Sequence, residues 1–235
     1  MQGPDQQAYD RGTTIFSPDG RLYQVEYARE AVKQGAPVVG VRGADATVLA
    51  AQVSARSSLV ERSSVEKLSP VDGRTGIASA GHAADARRLI DLVRRRAQTE
   101  RLRFDEAATA ETLARAVADH IQESTQVGGT RPYGTALLIG GYDETPRLFE
   151  TDPSGATHEW RATAAGRGAR DIISFFEERY SHDLEDVEAL ELAVAGLLEP
   201  TGDLDPKAIS AVTLGRQGYE PVDEGGIADA LDAAS

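Results

Sequence analysis

The chain has 235 residues, with 38 Asp and Glu against 25 Lys and Arg, giving a formal charge of −13 and a pI near 4.8. This is long enough for one large domain with a well-buried core, and the acidity argues against nucleic acid or an anionic membrane as partner, since both need a basic face. Cysteine is absent and the four histidines (His82, His120, His158, His182) lack ligand spacing, so disulfides and thiolate metal sites are excluded and no metal or cofactor is expected.

No apolar run approaches membrane-spanning length, and the first residues, MQGPDQQAYD, lack the basic-then-apolar order of an export signal, so a cytoplasmic location is expected. Lysine occurs only at 33, 67 and 207, the other 22 basic residues being arginine. An acidic, lysine-poor surface suits a salt-rich cytoplasm, where a Debye length of about 3 Å at 1 M removes self-repulsion. Ordinary acidic solubility explains it equally well.

Near the N-terminus, Gly12-Thr13 is the kind of junction a self-processing hydrolase cleaves to free a threonine nucleophile. Ser17-Pro18-Asp19-Gly20 reads as a type I turn, with Asp19 available to cap a helix. From Arg21 to Gln34 the apolar residues Leu22, Val25, Ala28 and Val32 share a face, Glu30 and Lys33 can pair, and Gly35 followed by Pro37 stops the helix. PVVGVRG, TVLAAQV, VEKLSPVD and GIASAG read as strands whose continuous apolar runs imply sheets covered on both faces. Ala86, Leu89, Ile90, Val93 and Ala97 mark one helix and Leu113, Val117 and Ile121 a second, antiparallel to it.

Further strands follow in TALLIGGYD, PRLFETD and THEWRAT, with Asp152-Pro153-Ser154-Gly155 as a turn. Helices return at Ile172, Ile173, Phe176 and Tyr180, then at Val187, Leu190, Val194 and Leu197. A strand near AISAVTLG and a short acidic helix close the chain. Strands, two helices, strands, two helices is the order of an α+β fold, a four-layer αββα sandwich, here with an extra N-terminal helix. The expected organisation is a flexible tail over 1–12 and a single domain over 13–235.

The segment YDRGTTIFSPDGRLYQVEYAREAV closely resembles the N-terminal signature of proteasome α subunits. SVEKL around Lys67, SAGHAADAR from Ser79 to Arg87, and GGTRPYGTALLIGG from Gly128 to Gly141 agree with it. The acidity and scarce lysine resemble a member from a salt-loving archaeon. Catalytic β subunits of the same family begin at their nucleophile with a strand of pattern T-x-x-V-G-I. In that frame the nucleophile's position holds Ala36, internal to the chain and followed by Pro37, and the supporting aspartate falls on Gln52. Only the lysine persists, as Lys67 across a one-residue gap, so the resemblance implies no catalytic residue and makes Thr13 an ordinary β-prone residue.

The resemblance further implies assembly with other α subunits in a seven-membered ring that caps the β rings, with the tail gating the entrance for unfolded protein substrates. Tyr9, Asp10 and Arg11, with Pro18 in the turn and Tyr27 on the helix, match the cluster that holds the tails open, although plain core packing also accounts for Tyr27. Lys67 matches the lysine that receives the C-terminal carboxylate of an activating AAA ATPase. Gly35 would let that peptide approach, or simply stop the helix. Gly128, Gly129, Arg131, Pro132, Tyr133 and Gly134 correspond to the pore-constriction loop. As a phosphate loop this stretch fails, because it precedes a strand and lacks the nucleotide motif's lysine and hydroxyl. Two alternatives remain open on the sequence: a peptidase processed at Gly12, and an assembly scaffold without a gate.

Overall fold

The computed structural model describes residues 15–54, 57 and 59–234. Two five-stranded antiparallel sheets face each other. One runs in the order β10-β9-β2-β1-β8, from β1 (Val38–Arg42), β2 (Thr47–Gln52), β8 (Ala162–Ala165), β9 (Ile209–Gly215) and β10 (Gly218–Pro221). The other runs β3-β4-β5-β6-β7, from β3 (Leu68–Pro70), β4 (Thr75–Gly81), β5 (Thr135–Asp143), β6 (Thr145–Thr151) and β7 (Thr157–Glu159). Helices α2 (Ala83–Phe104) and α3 (Ala110–Gln126) cover the second sheet, and α4 (Ala169–Arg179), α5 (Asp186–Leu198) and α6 (Glu224–Ala234) cover the first. Helix α1 (Tyr23–Lys33) packs against β4 and β5 and adds Val32 to the core between the sheets.

The strand periodicity explains the continuous apolar runs. Successive side chains point to opposite faces, so Val48 and Ala50 of β2 join the helix-facing core while Leu49 and Ala51 enter the layer between the sheets. On β5, Leu137 and Ile139 pack under α2 and α3, and Ala136 and Leu138 face the opposite sheet. Both faces are dry, and alternation disappears.

Several elements differ from the sequence reading. THEWRAT is two strands in two sheets: Trp160 N–H still donates to Leu148 O on β6, whereas Arg161 O already accepts from Arg42 N–H on β1, so the chain changes sheet between them. A hairpin strand, β10, follows β9 and pairs Tyr219 with Leu214. The buried face of α5 is Ala189, Leu192, Ala193, Val194, Gly196 and Leu197, and Val187 is 66% exposed, because small residues let this helix lie between the first sheet and its two neighbouring helices. Its start is fixed by a capping box, with Glu188 Oε2 accepting from Glu185 N–H. The Ser17–Gly20 turn closes as expected, Gly20 N–H to Ser17 O at 2.8 Å. Asp19 does not cap α1, since its carboxylate accepts from the Ser17 hydroxyl instead. Among the described residues, no helix is long and apolar enough to cross a membrane.

Candidate functional site

The corner where α1 meets β1 gathers the residues of most interest. After α1 the chain is held tightly: Gly35 N–H donates to Val32 O, and Gly35 O accepts from Arg167 N–H in the β8–α4 loop. A Cβ at Gly35 would lie 2.4 Å from the backbone N of Gly81, so the close approach Gly35 permits here is that of the chain's own β4 end. Gly81 has φ +105, and a Cβ on it would sit 2.3 Å from Gly134 O, so glycine is required there on both grounds.

Lys67, just before β3, reaches into this corner. Its ammonium donates to Ser79 O at 3.1 Å and to Ala36 O at 3.4 Å. Among the described residues no carboxylate lies within ion-pair distance of it. Burial holds it below the usual lysine range. Gln52, at the end of β2, donates its backbone N–H to Pro37 O at 3.0 Å, and its buried side-chain Oε1 has no hydrogen-bond partner among the described residues. The fold therefore brings Lys67 and Gln52 to the same short stretch, Ala36–Pro37, through its two backbone carbonyls.

The corner is continuous with the 128–134 segment. Gly134 O accepts from His82 N–H at 2.8 Å, and Gly134 N–H donates to Asp85 Oδ2 at 2.9 Å. Arg131 forks onto the same carboxylate, with Nη1 to Oδ2 at 2.6 Å and Nη2 to Oδ1 at 2.8 Å. Burial pushes the Asp85 carboxyl up, but the N–H groups of Arg131 and Gly134 and the nearby charges outweigh it and hold it below the usual range. Tyr133 packs on His120, its hydroxyl 3.0 Å from Nε2, and Pro132 is buried. Gly128, Gly129 and Thr130 form an exposed tip continuous with the exposed Arg131, with open space around both glycines.

Tyr9, Asp10 and Arg11, and Thr13 with them, lie outside the described residues. Pro18 is exposed in its turn and Tyr27 is 47% exposed on α1, which removes the core-packing account of Tyr27. Sequence reasoning did not assign Ser79, Gly81 or Asp85 to the site. Gly81 had a signal, lying in the SAGHAADAR stretch, but the pairing of Asp85 with Arg131 across 46 positions had none.

Two antiparallel sheets facing each other, with helices on both outer sides and an added N-terminal helix, define a class, the αββα sandwiches. The family described as "Proteasome subunit" matches residues 32–211, and the N-terminal signature of the proteasome's A-type subunits matches residues 9–31. The proteasome alpha 2 subunit of Haloarcula marismortui is 51% identical, covering 99% of this chain and 97% of that one. The alpha 2 subunit of Haloferax volcanii is 53% identical (97% and 92%), and the proteasome alpha subunit of Natronomonas pharaonis 55% (91% and 85%). The chain belongs to the proteasome family, as an α-type member of the archaeal proteasome, which builds its barrel from rings of α and β subunits. These relatives come from haloarchaea, in agreement with the resemblance to a member from a salt-loving archaeon.

Proposed function

We propose that this subunit is catalytically inert, that seven copies form the outer ring, that residues 1–12 gate its axial entrance in the cytoplasm, and that Lys67 receives the C-terminal carboxylate of an activating AAA ATPase. Substrate proteins, already unfolded, would pass the exposed tip at Gly128–Thr130 on their way in. The observation that carries this reading is the state of Lys67: a half-buried ammonium that, among the described residues, is held by two backbone carbonyls and meets no anion. A terminal carboxylate would complete it with a charge-assisted hydrogen bond strengthened by partial desolvation. Ala36 beside it supports the inert reading, because a methyl group in mid-chain offers neither a hydroxyl nor a free amine.

Lys67→Ala should weaken docking by about 1.5–3 kcal/mol per site, the range for a hydrogen bond to a charged group, and multivalent engagement of a ring would multiply the loss. The measurement is ATPase-stimulated peptide entry into matched wild-type and Lys67→Ala barrels, with barrels lacking residues 2–12 as the control for assembly. Stimulation that survives unchanged in Lys67→Ala would overturn the docking assignment.

A further inference from the structure

The Lys67 corner has a consequence for regulation, which rests on the docking reading above. The ammonium has three N–H donors, and among the described residues two carbonyls, Ser79 O and Ala36 O, meet them. Two groups of charged side chains on the elements around it are paired among themselves. Glu30 and Lys33 at the end of α1 pair with each other. At the head of α2, His82 lies 3.6 Å from Asp85, which Arg131 covers. Arg167 offers its backbone N–H to Gly35 O, and Glu66, next to Lys67 in sequence, forms no ion pair with it. Among the described residues no nearby carboxylate therefore fixes the proton on Lys67 until a ligand brings one.

We infer that docking at this corner is proton-coupled: the site accepts a terminal carboxylate only as an ammonium, takes up a proton when it binds from alkaline solution, and lets the activator go as the pH rises. The sign follows from linkage. Burial alone lowers the proton affinity of the free site, and an incoming carboxylate raises it again. Between those two values the bound state holds more protons than the free one, so affinity falls with rising pH, by up to about tenfold per pH unit. Below the window the site is charged in both states and binding is flat.

The test uses the assembled particle and a synthetic peptide ending in a free α-carboxylate, taken from the C-terminus of an archaeal proteasomal ATPase, beside the same peptide as its C-terminal amide. Calorimetry in two buffers of different ionisation enthalpy reads proton uptake, and a His82→Gln particle run in parallel removes that imidazole from the reading. The free-acid peptide should lose affinity on the alkaline side with uptake approaching one proton per site, and the amide should show neither effect. Lys67→Arg, which stays charged throughout, should lose the slope even where its affinity is reduced. The rate of Lys67 acylation against pH, followed by mass spectrometry, gives a second reading, simplified because the chain has only three lysines; its midpoint should rise when peptide is bound. A flat profile without proton uptake, while Lys67→Ala still abolishes binding, overturns proton coupling and leaves docking standing. Normal binding by Lys67→Ala overturns both.

Discussion

At Asp85 one side chain holds the start of α2 to the 128–134 segment, through Arg131 and the N–H of Gly134. The carboxylate is 10% exposed and accepts three hydrogen bonds, two from Arg131 and one from the buried N–H of Gly134. Asp85→Ala leaves that N–H without a partner, at about 1–3 kcal/mol. The lost ion pair adds less, because the Arg131 side chain is 60% exposed, and such pairs are worth about 0.2–1 kcal/mol. Together these give a loss of about 1–4 kcal/mol, or roughly 2–4 °C in thermal midpoint for each kcal/mol in a chain of this size. Asp85→Asn keeps an acceptor for Gly134 and should fall in between, and Arg131→Ala should cost less than about 1 kcal/mol. Because the Asp85 carboxyl is held below its unfolded value, its contribution is complete above the ordinary aspartate range, near 3.9, and is lost as the pH falls through the folded value. The assay is thermal unfolding of the purified α ring followed by circular dichroism, at neutral and acid pH. Equal losses in Arg131→Ala and Asp85→Ala would show that the buried N–H is not the larger part.

Gly35→Ala places a methyl group 2.4 Å from the backbone of Gly81, and because backbone cannot yield as a flexible side chain would, a loss toward the upper end of about 1–3 kcal/mol is expected in the same assay. Glu150 on β6 is pushed up by burial against the single hydroxyl donor of Thr163, at 3.1 Å. Its folded value lies above the unfolded one, so it supports the fold at low pH and loses that support as the pH rises through the folded value. Glu150→Gln, which keeps an acceptor for Thr163, should therefore raise the midpoint at pH 7 by about 2–4 °C, equivalent to ~1 kcal/mol, with the gain vanishing in acid.

The layers of the fold were legible in the sequence because strands buried on both faces leave unbroken apolar runs, and helices leave a stripe. What sequence could not show was where the chain changes sheet: nothing in THEWRAT marks the step between Trp160 and Arg161, which is defined by which strand each backbone group meets. On α5, Val194 and Leu197 are buried as read, but Val187 is exposed, and Ala189, Ala193 and Gly196, small residues that give weak apolar signals, complete the buried face. At the site, Lys67 stood out by its rarity and Gly35 by its place behind a helix. Their meeting with Ser79 and Gly81 is a tertiary event between the ends of α1 and β4. Arg131 carried a sequence signal as part of a loop motif, but its role as the anchor of that loop, through Asp85, depends on a partner on another helix.

Whether this chain is a gate and not a hydrolase is tested most directly by peptide turnover, without any activator, in assembled barrels containing either the whole chain or one lacking residues 2–12. Faster turnover by the truncated barrels is expected with the β subunits unchanged, as removal of a polar plug requires. Equal rates in correctly assembled particles would contradict it.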